Sequence, residues 1–199
     1  MGRKSKAKVR RQEILSHFYE VIIEEGFEGA SIAKIAKRME VNPSLLIHYF
    51  NTKDAMVLGL IDYIVDTYSS QRIPDFSEVS DPKERWEDVL DVVSRIKWDQ
   101  IMDPTVFYSC YTLSLRDKEI HKRFKHLYTG LVNTLAYEVE QASKAGILNV
   151  KDPRQVAETI LTLIEGNNFY QHVSSSTLSE EEREESLKQT IIHFLKMNA

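Results

Sequence analysis

The side chains between Pro43 and Tyr49 carry the most specific chemistry in the chain. Asn42 is a favourable helix N-cap and Pro43 suits the first helical position, so this run predicts a helix of two turns. Such a helix fits the DNA major groove, which is about 12 Å wide. The imidazole of His48 can exchange hydrogen bonds with a base edge, and small apolar groups pack on thymine methyls. The side chains expected to face the groove are Pro43, Ser44, Leu45, Ile47, His48 and Tyr49.

Groups that suit phosphate oxygens flank this run. N-cap side chains, helix-start N–H groups and exposed cations are the usual donors to phosphate. The candidates here are Ser31, Asn42, Lys53, Arg10 and Arg11, the last two from a basic arm at residues 3–11. Residues 1–50 hold nine Lys and Arg against six acidic residues, although the whole chain has a formal net charge of -4. The asymmetry favours a polyanion-binding end, and a solubilising tail is the alternative.

Three helices are needed to hold the reading face outward. Apolar spacing predicts the first over residues 10–25, stopped by Gly26. Ser31 caps a short second helix that ends near residue 39, and a tight turn at residues 40–41 leads to the third. The small core between the two short helices is expected from Ala36, Val41, Leu46 and Phe50. Short capped helices occur in any all-α protein, so spacing alone leaves a purely structural interpretation open.

The rest of the chain also follows helical periodicity, without a convincing alternating strand pattern. Thr52 caps a fourth helix, and a long loop at residues 69–82 follows it. Apolar registers predict five further helices, at about residues 86–96, 104–115 and 120–142, from 153 and from 179. The pattern therefore predicts an all-α fold of nine helices.

Four segments between residues 26 and 55 form one linked pattern. They are Gly26-Phe27-Glu28-Gly29-Ala30-Ser31-Ile32, Ile35-Ala36, the run from Val41 to Phe50, and Lys53-Asp54-Ala55. Together they resemble the DNA-binding domain of the tetracycline-repressor (TetR) family over about residues 10–60. Glu40 and Ser44 stand where that family usually or frequently has Gly, and Ile47 replaces a common Tyr. The run Ile47-His48-Tyr49-Phe50 is similar to the choline-sensing BetI branch of the family.

The resemblance implies a nine-helix TetR-like fold with two domains. Residues 1–52 are then a helix-turn-helix DNA-binding domain with its basic arm. Residues 53–199 form an effector-binding and dimerisation domain, in which residues 53–70 are the linking helix. The implied function is ligand-responsive transcriptional regulation, most often repression, at a palindromic double-stranded operator. The implied homodimer pairs through helices near residues 153–172 and 179–197. A structural DNA-binding protein, or an activator without an effector, is the alternative.

An effector pocket needs a mostly apolar lining with a few polar anchors. Aromatic residues are frequent between residues 86 and 137, and polar residues follow at 167–172. The predicted pocket residues are Trp86, Met102, Phe107, Tyr111, Phe124, Tyr128, Asn167 and Tyr170. A packed aromatic core is the alternative for each of them, and the pattern does not choose between a cationic and a neutral ligand.

Other classes of protein fit this sequence poorly. The single cysteine, Cys110, cannot form an intrachain disulfide, which favours a reducing compartment. No apolar run approaches the length of about 18 residues that a membrane span needs, and no secretory signal follows the basic start. We therefore expect a cytoplasmic protein without a membrane association. The six His are scattered and no hydrolase, nucleotide-binding or metalloprotease motif is present, so no catalytic residue, cofactor or metal site is expected.

Overall fold

The polypeptide folds into helices whose buried faces follow the apolar registers of the sequence. The computed structural model describes residues 3–70, 74, 76–96, 102–174 and 177–197. These residues contain nine helices and no strand, which confirms the all-α prediction. The helices are α1 (Arg3–Gly29), α2 (Ile32–Arg38), α3 (Pro43–Tyr49), α4 (Lys53–Ser70), α5 (Pro82–Ser94), α6 (Pro104–Ser114), α7 (Lys118–Lys144), α8 (Pro153–Val173) and α9 (Glu180–Met197).

The contacts divide the chain into two compact units. The first unit comprises residues 1–70 and 99–127, and the second comprises residues 71–98 and 128–199. Helix α7 contributes its first part to one unit and the rest to the other. Part of the predicted loop at 69–82 lies outside the described residues. In the described part, α4 continues to Ser70 and α5 begins at Pro82, with Asp81 as its N-cap.

Helix α1 is the scaffold of the first unit. It packs against α2, α4 and α6, and α2 packs against α3. Its buried face carries Ile14, Phe18 and Ile22, all fully buried. The Tyr19 hydroxyl on α1 accepts a hydrogen bond from the backbone N–H of Asp103, just before α6, at 2.6 Å. Burial of this phenol raises the pKa of Tyr19.

The predicted start of the first helix at residue 10 was wrong, because α1 begins at Arg3. Residues 3–9 are mostly Arg, Lys and Ala, which are good helix formers, and nothing among them breaks a helix. The predicted stop is confirmed in its geometry. Gly26 adopts φ 74° and ψ 166°, which interrupts the helical backbone before a last turn that ends at Gly29.

The second unit is built on one continuous apolar core. Trp86, Val89 and Val93 of α5 pack with side chains of the later part of α7, of α8 and of α9. An ion pair crosses the edge of this core: Arg85 on α5 donates two hydrogen bonds of 2.8 Å to the carboxylate of Glu138 on α7. The side chain of Glu138 is 6% exposed. Its hydrogen bonds raise the pKa of the Arg85 guanidinium.

Replacement of Arg85 tests how much this pair contributes to the second unit. Arg85→Met leaves a nearly buried carboxylate without its partner, so we expect the free energy of unfolding to fall by about 3 kcal/mol. The double variant Arg85→Met/Glu138→Leu removes the unpaired charge and should recover most of that loss. The measurement is urea denaturation followed by circular dichroism.

The matched control is Lys83→Met on the same helix. Lys83 lies 3.9 Å from Glu87 and both side chains are exposed, so its loss should change stability by less than about 0.5 kcal/mol. Equal losses in the Arg85 and Lys83 variants would contradict the special weight given to the Arg85–Glu138 pair.

Candidate nucleic-acid interface

Two capped helices and a tight turn build the candidate interface. The Ser31 hydroxyl accepts a hydrogen bond from the Lys34 N–H at 3.3 Å at the start of α2. The Asn42 Oδ1 accepts from the Ser44 N–H at 2.9 Å at the start of α3. Both N-caps are therefore confirmed. Between the helices, the Val41 N–H donates to the Ala36 carbonyl at 3.0 Å, and Glu40 adopts φ 54°.

Helix α3 has one buried face and one open face. Leu46 and Phe50 point inward, with exposed fractions of 0% and 1%, and Ala36 of α2 is fully buried beside them. Val41, the fourth predicted member of this small core, is half-buried. On the outer face, Pro43, Ser44, Ile47 and His48 are exposed, whereas Leu45 and Tyr49 are half-buried. The rings of His48 and Tyr49 stand edge to face with centroids 5.3 Å apart.

The predicted cationic phosphate ligands have partners within the chain. Arg10 pairs with Glu13 at 2.6 Å. Arg11 Nη1 donates to the backbone carbonyl of Tyr49 at 2.6 Å. Lys53 Nζ donates to the Phe27 carbonyl at 3.3 Å, and lies 5.3 Å from the centroid of that ring. The sequence pattern gave no signal for the Arg11 and Lys53 contacts, because their partners lie on other helices or turns.

Two of the three cations of α2 are held by acidic residues of α1. Arg38 bonds to Glu24 at 2.6 Å and to Glu20 at 2.9 Å, and these carboxylates raise the pKa of Arg38. Lys34 pairs with Glu25. These glutamates were not singled out in the sequence, although Glu20 and Glu24 are four residues apart and so share one face of α1. Among the cations of residues 6–53, whose side chains the structure describes, Arg11 and Lys53 bond to backbone carbonyls, and Lys6, Lys8 and Lys37 form neither an ion pair nor a side-chain hydrogen bond.

The predicted pocket residues fall on both units. In the first unit, Phe107 and Phe124 have ring centroids 6.0 Å apart, and Tyr111 lies 6.2 Å from Phe124. Phe107 and Phe124 are buried, as is Met102, but Tyr111 is 45% exposed. In the first unit, therefore, the structure brings three of the predicted aromatic residues together.

The other four predicted pocket residues belong to the second unit. Trp86 is buried in the apolar core and Tyr128 packs against it half-buried. Asn167 is half-buried and Tyr170 is exposed on α8. Trp86 also lines a cavity of about 310 Å³ with Val79, Arg85, Glu138, Gln141 and Lys144, among others. Of the eight predicted pocket residues, Trp86 alone is among the described residues that line this cavity.

Comparison with protein families assigns both parts of the chain. Residues 14–60 match the model described as bacterial regulatory proteins of the tetR family. Residues 83–197 match the model described as a tetracyclin repressor-like C-terminal domain. The chain belongs to the TetR family. It is accordingly a TetR-family transcriptional regulator with an N-terminal DNA-binding domain, rather than an enzyme.

Curated relatives of this TetR-family chain are regulators too. It is 28% identical to the transcriptional regulator PksA of Bacillus subtilis over 162 residues, which cover 79% of this chain and 76% of PksA. It is 23% identical to the regulator BetI of Rhizobium meliloti over 175 residues, 87% of this chain and 83% of BetI. The weak similarity to BetI expected from residues 47–50 is thus confirmed over most of the chain.

Solved structures share the TetR fold with this chain. A putative regulator from Saccharomonospora viridis, crystallised with choline, superposes with a TM-score of 0.77 at 17% identity, covering 96% of this chain and 97% of that one. AibR, in complex with isovaleryl coenzyme A and operator DNA, superposes with a TM-score of 0.62 at 17% identity, covering 94% and 97%. At these identities the likeness establishes the fold.

Two remaining expectations concern reactive groups and membranes. Cys110 is fully buried, and burial raises the pKa of its thiol to about 12, so the nucleophilic thiolate is suppressed. Within the described ranges, His, Cys, Asp and Glu side chains form no group of three or more that can hold a metal ion. None of the described helices is both long and apolar enough to cross a membrane.

The turn before α3 generates a stability prediction. A left-handed conformation costs a residue with a Cβ about 1–2 kcal/mol, and glycine avoids that cost. We therefore expect Glu40→Gly to raise the free energy of unfolding by about 1 kcal/mol, since the greater entropy of unfolded glycine offsets part of the relief. Glu40→Val should lower it, because a β-branched residue tolerates positive φ poorly. Urea denaturation measures both.

A matched control is Ala33→Gly, at an exposed and fully helical position of α2. There glycine should cost about 1 kcal/mol. Losses of the same sign and size at positions 33 and 40 would show that the positive φ of Glu40 stores no strain.

Proposed function

We propose that this regulator binds a palindromic DNA duplex as a homodimer, represses transcription there, and is released by a small molecule. The observation that carries the proposal is the open outer face of α3, with His48 exposed and Tyr49 half-buried beside it. Burial of both rings would have removed the reading surface. In this proposal residues 1–52 bind DNA in the cytoplasm, and residues 53–199 bind the effector and the second protomer. Within the second domain, residues 53–70 form the helix that links it to the DNA-binding domain.

The residues of α3 and the two N-caps have different proposed roles. His48 reads a base edge, while Pro43 and Leu45 pack on thymine methyls. Tyr49 donates its hydroxyl to a phosphate. Ser31 and Asn42 use only acceptor atoms as N-caps, so a hydroxyl proton and an amide nitrogen stay available to phosphate oxygens. Ser44 and Ile47 complete the surface that enters the groove.

The surface of α8 supports the proposed homodimer. Phe169, Tyr170 and Val173 near its end are 54%, 65% and 66% exposed. A Cβ added at Gly166 would meet no atom within 4 Å, so this helix leaves room for a neighbouring backbone. Apolar groups of this size on one helix are typical of an interface. A two-fold pair formed by α8 and α9 would present two copies of α3 to successive major grooves.

Support for an effector comes from related structures and from the aromatic cluster of Phe107, Tyr111 and Phe124. The Saccharomonospora viridis regulator holds choline, and AibR was solved with isovaleryl coenzyme A and operator DNA. Release requires that the effector bind the DNA-incompetent state more tightly than the competent one. A shift in occupancy from 1:99 to 99:1 takes a difference of about 5.5 kcal/mol.

Selection of duplexes from a random pool with the wild-type chain tests the DNA-binding proposal. The proposal expects one palindrome, against which single-base variants are then measured. His48→Ala should change preference at particular base pairs by about 1–3 kcal/mol, because a base-edge hydrogen bond is lost. Tyr49→Ala should weaken all sequences by a similar factor, because a phosphate contact carries no sequence information.

Tyr49→Phe is the matched control for the hydroxyl, since it keeps the ring that packs on His48. It should reproduce most of the loss seen with Tyr49→Ala. A uniform loss from both the His48 and Tyr49 variants would show that His48 does not read bases, and enrichment of no duplex would refute DNA binding altogether.

A thermal-shift screen of small molecules tests the effector. A ligand present at 100 times its Kd should stabilise the folded chain by about 2.7 kcal/mol and raise its melting temperature. The same compound should lower affinity for the selected palindrome. A compound that stabilises the protein without changing DNA affinity would contradict effector release, and a screen without hits would favour a structural DNA-binding role or an activator that takes no effector.

A further inference from the structure

Arg11 makes two contacts at the end of α3. Its Nη1 donates to the carbonyl oxygen of Tyr49 at 2.6 Å, and its guanidinium carbon lies 4.1 Å from the centroid of the Phe50 ring. The Tyr49 carbonyl belongs to the last turn of a helix, where no following helical N–H is available to it. A cation there also meets the negative end of the helix. Arg11 is thus a C-terminal cap supplied from another helix.

The ring under Arg11 is itself held by α4. A Cβ built on Gly59 of α4 would lie 2.9 Å from Cε1 of Phe50, closer than real Cβ contacts. The ring edge therefore packs against a position of α4 that has no side chain. Phe50 is 1% exposed, and its N–H donates to the Leu46 carbonyl at 2.7 Å.

We propose that Arg11 is a positioning residue that sets the orientation of α3, and that it is not a phosphate ligand. The inference rests on the proposed DNA-binding function and assigns Arg11 a role different from the one its sequence suggests. Helix α3 has only seven residues, too few to hold its own direction. Asn42 fixes its start, Leu46 its middle, and the Tyr49 carbonyl and Phe50 ring, both held by Arg11, fix its end.

Salt dependence separates the two roles, since Arg11 is exposed and its charge is open to solvent. Each neutralised phosphate contributes about 0.9 to the slope of log affinity against log salt, so loss of one contact per protomer changes a dimer's slope by about 1.8. Loss of a positioning residue leaves this slope unchanged. Loss of a positioning residue lowers only the ratio of the affinity for the selected palindrome to the affinity for an unrelated duplex.

The experiment uses the full chain, the palindrome that the wild type selects, and a scrambled duplex of equal length. Affinities for both are measured over a range of salt concentrations for Arg11→Met and Arg11→Lys, well below their melting temperatures. We expect the palindrome-to-scrambled ratio to fall about tenfold in Arg11→Met, as one charge-assisted hydrogen bond and one cation–π contact are lost, with an unchanged slope. Arg11→Lys keeps the charge but not the planar fork that stacks and donates at once, so it should lose discrimination as well.

Two further variants guard against indirect effects. Lys8→Met removes the same charge from α1 one turn earlier, at an exposed position, and should change the affinities for both duplexes by the same factor. Gly59→Ala displaces the Phe50 ring without any change of charge, while alanine favours the helical state of α4. It should reproduce the loss of discrimination seen with Arg11→Met.

The outcomes are distinct. A slope that drops by about 1.8 in Arg11→Met, with equal losses on both duplexes and full activity in Arg11→Lys, would identify Arg11 as a phosphate ligand and overturn the proposal. An unchanged ratio in Arg11→Met would overturn it as well. A wild-type chain that enriches no duplex would refute the proposed function, and the positioning role with it.

Discussion

The orientation of α3 depends on interactions outside α3. Nucleation of a helix is unfavourable, so a seven-residue segment gains its stability from what it packs against. Leu46 and Phe50 provide that packing, and α1 lies behind both short helices through its contacts with α2 and α4. The outer side chains of α3 are carried by this packing, so a rotation of α1 or α2 would move His48 as well. The proposed reading of DNA by His48 would therefore depend on α1, α2 and α3 together.

The number of cations in residues 1–50 overstates the positive charge that is free to bind phosphate. Nine Lys and Arg precede residue 51, yet several of them have protein partners. Arg38 is held by two glutamates, Lys34 by a third, and Arg11 by the carbonyl oxygen of Tyr49. The exposed Arg10–Glu13 pair is of a kind worth about 1 kcal/mol or less, so Arg10 can exchange its partner for a phosphate at small cost. In the proposed complex with DNA, much of the attraction to phosphate would then come from the lysines without ion pairs, the N-cap side chains and the helix N-termini.

Local signals in the sequence predicted the helices and their caps. They did not predict the contacts between residues that are far apart in the sequence. The caps Ser31 and Asn42 and the stop at Gly26 were correct, since each depends on residues within one turn. The Arg11–Tyr49 contact spans 38 positions and the Arg85–Glu138 pair spans 53, so no periodicity marks them. The start of α1 was missed for another reason. A run of Arg, Lys and Ala was interpreted as a charged arm, although the same residues favour a helix.

The division of the chain by contacts gives the proposed effector response a physical route. Helix α6 and the first part of α7 belong to the same unit as the DNA-binding helices. Two polar contacts join them to the frame: the Asp103 N–H donates to Tyr19 of α1 at 2.6 Å, and Arg123 of α7 bonds to Asp62 of α4 at 2.5 Å. The aromatic cluster of Phe107, Tyr111 and Phe124 lies on these same two helices. A molecule that bound at that cluster and favoured a second arrangement of these helices would act on helices already bonded to α1 and α4. The difference in its binding free energy between the two arrangements would then be coupled to α3 through contacts within the first unit alone.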